Sequence, residues 1–245
     1  SLTRQALTLP RGDGTNGPNG PNSGVTDADV REFAQVLGAL PHALRHQLRH
    51  TDAREDLATR LPAALLERVM AARYRPIVID SRGHGRSTRD AQPYAYARMA
   101  SDVRTVMNML RIDCAPFIGW SDGACVALTL AMQTPERAIG VFFFGCNMDP
   151  SGAQPFEPTP VIDRCFARHR KDYTALSSTP GDFDAFVAAV TEMMQTQPNA
   201  TAAELAATRV PVTIAYSEHD EFIRPEHAHY LARTIPDARF VLLPG

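Results

Sequence analysis

The stretch Ala115-Pro-Phe-Ile-Gly-Trp-Ser-Asp-Gly-Ala-Cys-Val-Ala-Leu-Thr-Leu-Ala131 decides the fold of this chain of 245 residues. Its apolar first part predicts a buried strand, and its alanine- and leucine-rich second part predicts a helix. Between the two, Gly119 and Gly123 flank Ser121 in the pattern G-x-S-x-G. Where a strand passes directly into a helix, this pattern is typical of a nucleophile elbow, which presents a serine hydroxyl at a helix N-terminus. The alternative is a plain glycine turn capped by Ser121 or Asp122.

Short apolar segments alternate with helical segments along much of the chain. Because these short segments are continuously apolar, they predict a parallel sheet that helices cover on both faces. The predicted strands cover 75–80, 115–120, 138–145, 210–216 and 239–243, and the predicted helices cover 65–74, 94–111, 122–133 and 225–234. The expected fold class is α/β with a mostly parallel central sheet, and chemistry is expected at the carboxyl ends of the strands.

Composition divides the chain into four regions. Residues 1–26 are rich in glycine, proline and asparagine and predict a disordered or linker segment. Residues 27–64 predict a helical segment. The α/β core is expected over 65–147 and 208–245. Prolines and amphipathic helices in 148–207 predict a small helical cap inserted into this core.

Charge and cysteine usage narrow the expected partners. The 25 Lys and Arg residues nearly balance 27 Asp and Glu residues, for a net charge of -2. This balance gives no reason to expect nucleic acid or a membrane as partner, and it favours a small, largely uncharged ligand. The four cysteines lie far apart in the sequence, so we expect reduced thiols without a zinc site. With no apolar signal segment or membrane span, the sequence predicts a cytoplasmic protein and specifies no oligomeric state.

Three segments resemble a known family in the expected order along the chain. They are Asp80-Ser-Arg-Gly-His-Gly-Arg-Ser87, Gly119 to Gly123, and Ser217-Glu-His-Asp220. On these segments the chain resembles the α/β-hydrolase fold superfamily, in particular its small serine esterases and lactonases. The resemblance implies that Ser121 is the nucleophile and that Asp220 is the acid that orients a histidine base.

The same resemblance implies roles for three further residues. The backbone N–H of Asp122 would supply half of an oxyanion hole, and Trp120 and His84 would contact the substrate. Glu218 is a poorer candidate for the acid because it comes too early in its turn. Asp220 can also be a carboxylate that interacts with the N-terminus of the following helix, and the two roles can coexist.

The sequence departs from the family pattern at both ends. It shows no match to the family's first strands, and no histidine stands after the last strand, where the family carries its base. We therefore expect a serine hydrolase that acts on a carboxylic ester, lactone or thioester through an acyl-enzyme on Ser121, with no metal or organic cofactor. The alternative is an inactive or truncated relative that serves as a binding module or fragment.

Overall fold

The computed structural model describes residues 77–243. The segments predicted over 1–26, 27–64 and 65–74 lie outside the described residues, as do the first two positions of the strand predicted over 75–80. The described residues include Ser121, Asp220 and the strands and helices around them.

Four parallel strands and six α-helices form the described structure. The strands are β1 (Ala115–Trp120), β2 (Ala138–Phe144), β3 (Val212–Ser217) and β4 (Arg239–Leu243). The helices are α1 (Tyr96–Met109), α2 (Asp122–Gln133), α3 (Pro160–Leu176), α4 (Phe183–Thr196), α5 (Ala202–Ala206) and α6 (Pro225–Thr234). None of these helices is both long and apolar enough to cross a membrane.

The strands pair in the order β1-β2-β3-β4, and every pair is parallel. Helix α2 connects β1 to β2, helix α6 connects β3 to β4, and helices α3 to α5 lie between β2 and β3 in the sequence. This arrangement confirms the α/β fold class with a parallel sheet. All four strands end at the same edge, which places the turns after β1, β2 and β3 side by side.

Several element boundaries agree with the sequence prediction, and the differences have local causes. Elements β1, α2, α6 and β4 begin and end where the sequence predicts. Strand β3 begins at Val212 instead of Val210 because Pro211 has no N–H to donate to a ladder. Strand β2 stops at Phe144 because Gly145 turns the chain with a φ of 59°.

The strand predicted over 75–80 is wrong for its described part, residues 77–80. Only Asp80 makes a bridge pairing there. Its carbonyl oxygen accepts a hydrogen bond from the Ser87 hydroxyl at 2.6 Å, and its carboxylate accepts one from the Arg86 N–H at 3.1 Å. Asp80 thus holds the following glycine turn together instead of extending a ladder.

Helix α2 forms the centre of the core, since its residues from Gly123 to Leu128 are all buried. It packs against α1 on one side and against β1 and β2 on the other. The free thiols of Cys125 and Cys146 meet there, with their Sγ atoms 2.9 Å apart. Two cysteines that are 21 positions apart in the sequence therefore share one buried site behind the elbow.

The predicted cap region contains helices α3, α4 and α5, and its boundaries over 148–207 remain a prediction. Tyr173 of α3 stacks on Phe186 of α4, with ring centroids 5.0 Å apart. Phe183 packs edge-on against Tyr173. Phe156 and Val161 of the same region are more than half exposed, so they do not belong to this buried aromatic group. The cap helices are therefore joined by a small aromatic core.

The turn from β1 into α2 depends on the missing side chain of Gly119. A Cβ atom at this position would lie 2.4 Å from Ala124 Cα and 2.4 Å from the Gly123 carbonyl oxygen. Both contacts are far inside van der Waals distance and involve backbone that cannot rotate away. Only glycine allows the end of β1 to lie this close to the first turn of α2.

We expect Gly119→Ala to lower the free energy of unfolding by about 1 to 3 kcal/mol or more, because the added methyl group forces the strand and helix apart. Urea denaturation measures this change. Gly181→Ala is the matched control, since a Cβ there meets no atom within 4 Å. Equal stability of the two variants would contradict the packing argument.

Candidate active site

Ser121 occupies the strained backbone position between β1 and α2. Its φ of 53° and ψ of -133° fall outside the regions that residues with side chains normally adopt. Two backbone hydrogen bonds hold it there: the Ser121 N–H donates to the Phe144 carbonyl at 2.9 Å, and the Ser121 carbonyl accepts from the Ala124 N–H at 2.7 Å. Ser121 is thus fixed at a positive φ between the end of β1 and the start of α2.

Asp122 is the first residue of α2, so its backbone N–H has no acceptor within the helix. The positive end of the helix dipole lies at the same place. The Asp122 side chain points away into the core, where only 2% of the residue is exposed. Its carboxylate accepts a hydrogen bond of 2.5 Å from the Tyr96 hydroxyl. Burial raises the pKa of this carboxyl group, and the Tyr96 hydrogen bond opposes the rise.

Gly145 lies between the elbow and the turn after β3, because β2 stands between β1 and β3 in the sheet. A Cβ on Gly145 would lie 3.4 Å from Asp220 Oδ2 and 3.6 Å from Trp120 Nε1. The carboxylate and the indole therefore border one space above this glycine. Trp120 directly precedes Ser121 and is 53% exposed.

Asp220 lies in the turn after β3, with its two carboxylate oxygens in different surroundings. Oδ1 accepts hydrogen bonds from the N–H groups of Phe222 and Ile223, both at 2.9 Å. Oδ2 faces the space above Gly145. Both donors belong to the turn, and α6 begins two residues after Ile223, at Pro225.

Gln154 is a residue of this site that the sequence reasoning missed. Its side-chain N–H groups donate to the carbonyl oxygens of Asp220 at 3.0 Å and Ile223 at 2.9 Å. The partners lie 66 and 69 positions away in the sequence. Gln154 follows no motif, and no local pattern marks a contact over such a distance.

His84 lies in the turn that follows Asp80 and is 4% exposed. Its Nδ1 lies 3.0 Å from the Arg82 carbonyl oxygen, which can only accept, so Nδ1 carries the proton and Nε2 is an acceptor. Nε2 is buried and has no hydrogen-bond partner among residues 77–243. Burial lowers the pKa of His84, which favours the neutral imidazole.

A small apolar cavity of about 40 Å³ lies between His84 and the cap helices. Phe186 meets the His84 ring edge-on at 4.8 Å. The other lining residues include Phe166, His169, Phe183 and Val187. The wall is mainly aromatic and apolar. Two imidazole nitrogens of its residues, His84 Nε2 and His169 Nδ1, are buried without a hydrogen-bond partner among the described residues.

No side chain within residues 77–243 makes a hydrogen bond to the Ser121 hydroxyl. Two of the described histidines near the end of this region are engaged elsewhere: His227 Nε2 accepts from the Met148 N–H at 3.0 Å, and the His229 ring packs on Phe240 at 4.4 Å. Within residues 77–243, the Ser121 hydroxyl therefore has no histidine as a hydrogen-bond partner.

Comparison with known proteins shows the family of the chain. A model of the alpha/beta hydrolase fold family matches residues 56–197. The chain is 28% identical to a rhodomycin D methylesterase of Streptomyces sp., over 74% of this chain and 77% of that protein. A meta-cleavage product hydrolase from Pseudomonas fluorescens has a TM-score of 0.59 at 17% identity, over 70% of this chain and 72% of that one. At this identity the structural likeness shows the fold alone.

One further similarity concerns a shorter stretch. Over 79 residues, or 32% of this chain, the sequence is 63% identical to a voltage-dependent anion channel-forming protein of Ralstonia nicotianae. The match spans only 22% of that protein.

We expect Tyr96→Phe to lower the free energy of unfolding by about 1 to 3 kcal/mol, because it removes the donor to the buried Asp122 carboxylate. Losing this hydrogen bond raises the pKa of Asp122 further above its usual value. A carboxyl group whose pKa is raised on folding makes stability fall as pH rises through that pKa. Urea denaturation at pH 4.5 and pH 8 should therefore show the larger loss at pH 8.

Tyr173→Phe is the matched control for this prediction. It deletes the same hydroxyl group, but the Tyr173 partner is the neutral Thr179 hydroxyl at 3.1 Å. Its loss of stability should be the same at both pH values. A loss for Tyr96→Phe that does not grow with pH would contradict the role given to the Asp122 charge.

Proposed function

Because the chain belongs to the alpha/beta hydrolase fold family, we propose that it is a serine hydrolase acting on a carboxylic ester, lactone or thioester. The observation that carries this proposal is the strained backbone of Ser121 at the N-terminus of α2. A non-glycine residue held at positive φ stores strain, and such strain clusters at functional sites. The similarity to a methylesterase supports an ester-type substrate.

In the proposed reaction Ser121 forms an acyl-enzyme. Its Oγ bonds to the carbonyl carbon of the substrate while a base takes the hydroxyl proton, and that proton then passes to the departing alcohol or thiol. Water next attacks the acyl group, which releases the carboxylic acid and restores the serine. The Asp122 N–H stabilises the negative charge on the carbonyl oxygen during both steps.

The family resemblance implies a histidine base after the strand that corresponds to β4, and the sequence has no histidine after Leu243. Asp220 Oδ2 would accept a hydrogen bond from this histidine, hold its ring in place and stabilise its protonated form. The position of Oδ2 above Gly145 supports this role, because it lies on the side of the turn that faces the elbow.

Substrate contacts are proposed for Trp120 and His84. The half-exposed indole beside Ser121 offers an apolar surface for one part of the substrate. The cavity lined by His84 and the cap aromatics would accept a small apolar group. The chemistry uses only side chains and backbone groups, so the proposal includes no metal or organic cofactor.

A fluorophosphonate probe tests the nucleophile in the full-length protein. We expect covalent labelling of Ser121, seen by peptide mass spectrometry, together with hydrolysis of p-nitrophenyl esters. Ser121→Ala should lose both. Asp220→Asn should lower kcat by on the order of 10³- to 10⁴-fold, because the base loses the group that orients it.

Ser178→Ala is the control, since it removes an exposed serine hydroxyl of the cap region and should leave labelling unchanged. A folded protein that the probe does not label at Ser121 would contradict the proposal. It would favour the second candidate, an inactive relative that binds a ligand, which the lack of a described base beside Ser121 also supports.

We expect Trp120→Ala to raise KM for an apolar ester by about 5- to 30-fold with little change in kcat. Removing the indole takes away apolar contact worth about 1 to 2 kcal/mol of binding. Steady-state kinetics with a series of p-nitrophenyl esters measures this effect. Ile139→Ala is the control, because Ile139 is equally exposed at 54% but lies at the opposite end of the sheet. A fall in kcat without a change in KM would contradict the binding role.

A further inference from the structure

We infer that Gln154 is a positioning residue that sets the direction of the Asp220 carboxylate. The inference rests on the proposed function, since it concerns the acid of the same site. In the described structure Gln154 makes no hydrogen bond to Ser121. Its hydrogen bonds go to the turn that carries Asp220. Its effect on the reaction is therefore exerted through the turn that carries Asp220.

Three hydrogen bonds join Gln154 to the turn from Asp220 to Ile223. The side-chain Nε2 donates to the carbonyl oxygens of Asp220 and Ile223, at 3.0 and 2.9 Å. The backbone N–H donates to the Phe222 carbonyl at 2.7 Å. A primary amide carries two hydrogens on one nitrogen, so a single side chain closes both ends of the turn.

The direction of the carboxylate depends on these hydrogen bonds to the two ends of the turn. Oδ1 of Asp220 accepts from the N–H groups of Phe222 and Ile223, which belong to the same turn. When the carbonyls at both ends of the turn are held, those N–H groups are held as well. Oδ2 then remains aimed over Gly145, where the proposed base would meet it.

Gln154 is itself held by a rigid neighbourhood. Ala153 and Ile223 form an antiparallel bridge, and the Arg224 N–H donates to the Gly152 carbonyl at 2.9 Å. Gly152 lies against the His227 ring so closely that a Cβ would come within 2.4 Å of it. These backbone contacts do not use the Gln154 side chain, so replacing that side chain leaves them in place.

Gln154→Met tests the inference in the full-length protein, because methionine keeps the length of the side chain and removes both donors. We expect kcat for p-nitrophenyl esters to fall by about 10- to 100-fold with little change in KM, as for a misplaced catalytic group. A looser carboxylate stabilises the protonated histidine less and lowers its pKa. The acidic limb of the kcat/KM profile should therefore move to lower pH, a shift that a general loss of folded protein does not produce.

Asp220→Asn supplies the second test. If Gln154 acts through Asp220, adding Gln154→Met to Asp220→Asn should reduce kcat by less than twofold further, since interacting residues are not additive. Gln195→Met is the control, because Gln195 is exposed near the end of α4 and should leave kcat and the pH profile unchanged. If Gln154→Met does not fold, Gln154→Asn replaces it: its amide is one methylene too short, and the same shifts should appear.

The possible results separate the two proposals. If the parent protein is folded but neither hydrolyses esters nor reacts with the fluorophosphonate probe at Ser121, the proposed function and this inference both fail. If the parent is active and the Gln154 variant has the parent's kcat and pH profile, only the positioning role is overturned. Full additivity with Asp220→Asn would also overturn it.

Discussion

The close approach of Gly119 to the first turn of α2 is the constraint on which the site depends. Because this glycine has no side chain, β1 can pass into α2 within two residues, and Ser121 must then take a positive φ. That geometry leaves the first N–H of α2 beside the serine hydroxyl. Burial of the first turns of α2 in the core keeps the strained turn from relaxing.

The order of the strands determines which turns lie next to the one that carries Ser121. Strand β2 separates β1 from β3, so the residue that follows β2 lies beneath both flanking turns. That residue is Gly145, and a side chain there would enter the space shared by Trp120 and Asp220. Two glycines near the ends of neighbouring strands therefore have complementary effects. Gly119 permits the strained turn, and Gly145 leaves open the space that Trp120 and Asp220 border.

Local patterns predicted the parts of the fold that depend on neighbouring residues. The bounds of β1, α2, α6 and β4 follow from apolar runs and from capping or breaking residues that lie within a few positions. The contact of Cys125 with Cys146 and the clamp of Gln154 on the Asp220 turn could not be predicted in this way. Both join residues from different strand ends, and only the sheet order brings them together.

Two aspartates lie close to the elbow, and their surroundings give them different capacities. The Asp122 carboxylate is buried, its pKa is raised by that burial, and its hydrogen bond comes from Tyr96 inside the core. Such a group supports the elbow from below and cannot reach a substrate. Asp220 is half-buried, and backbone N–H groups hold one of its oxygens while the other faces the space above Gly145. Of these two aspartates, only Asp220 has an oxygen that faces the space above Gly145, and for this reason Asp220 is the one proposed to assist a base.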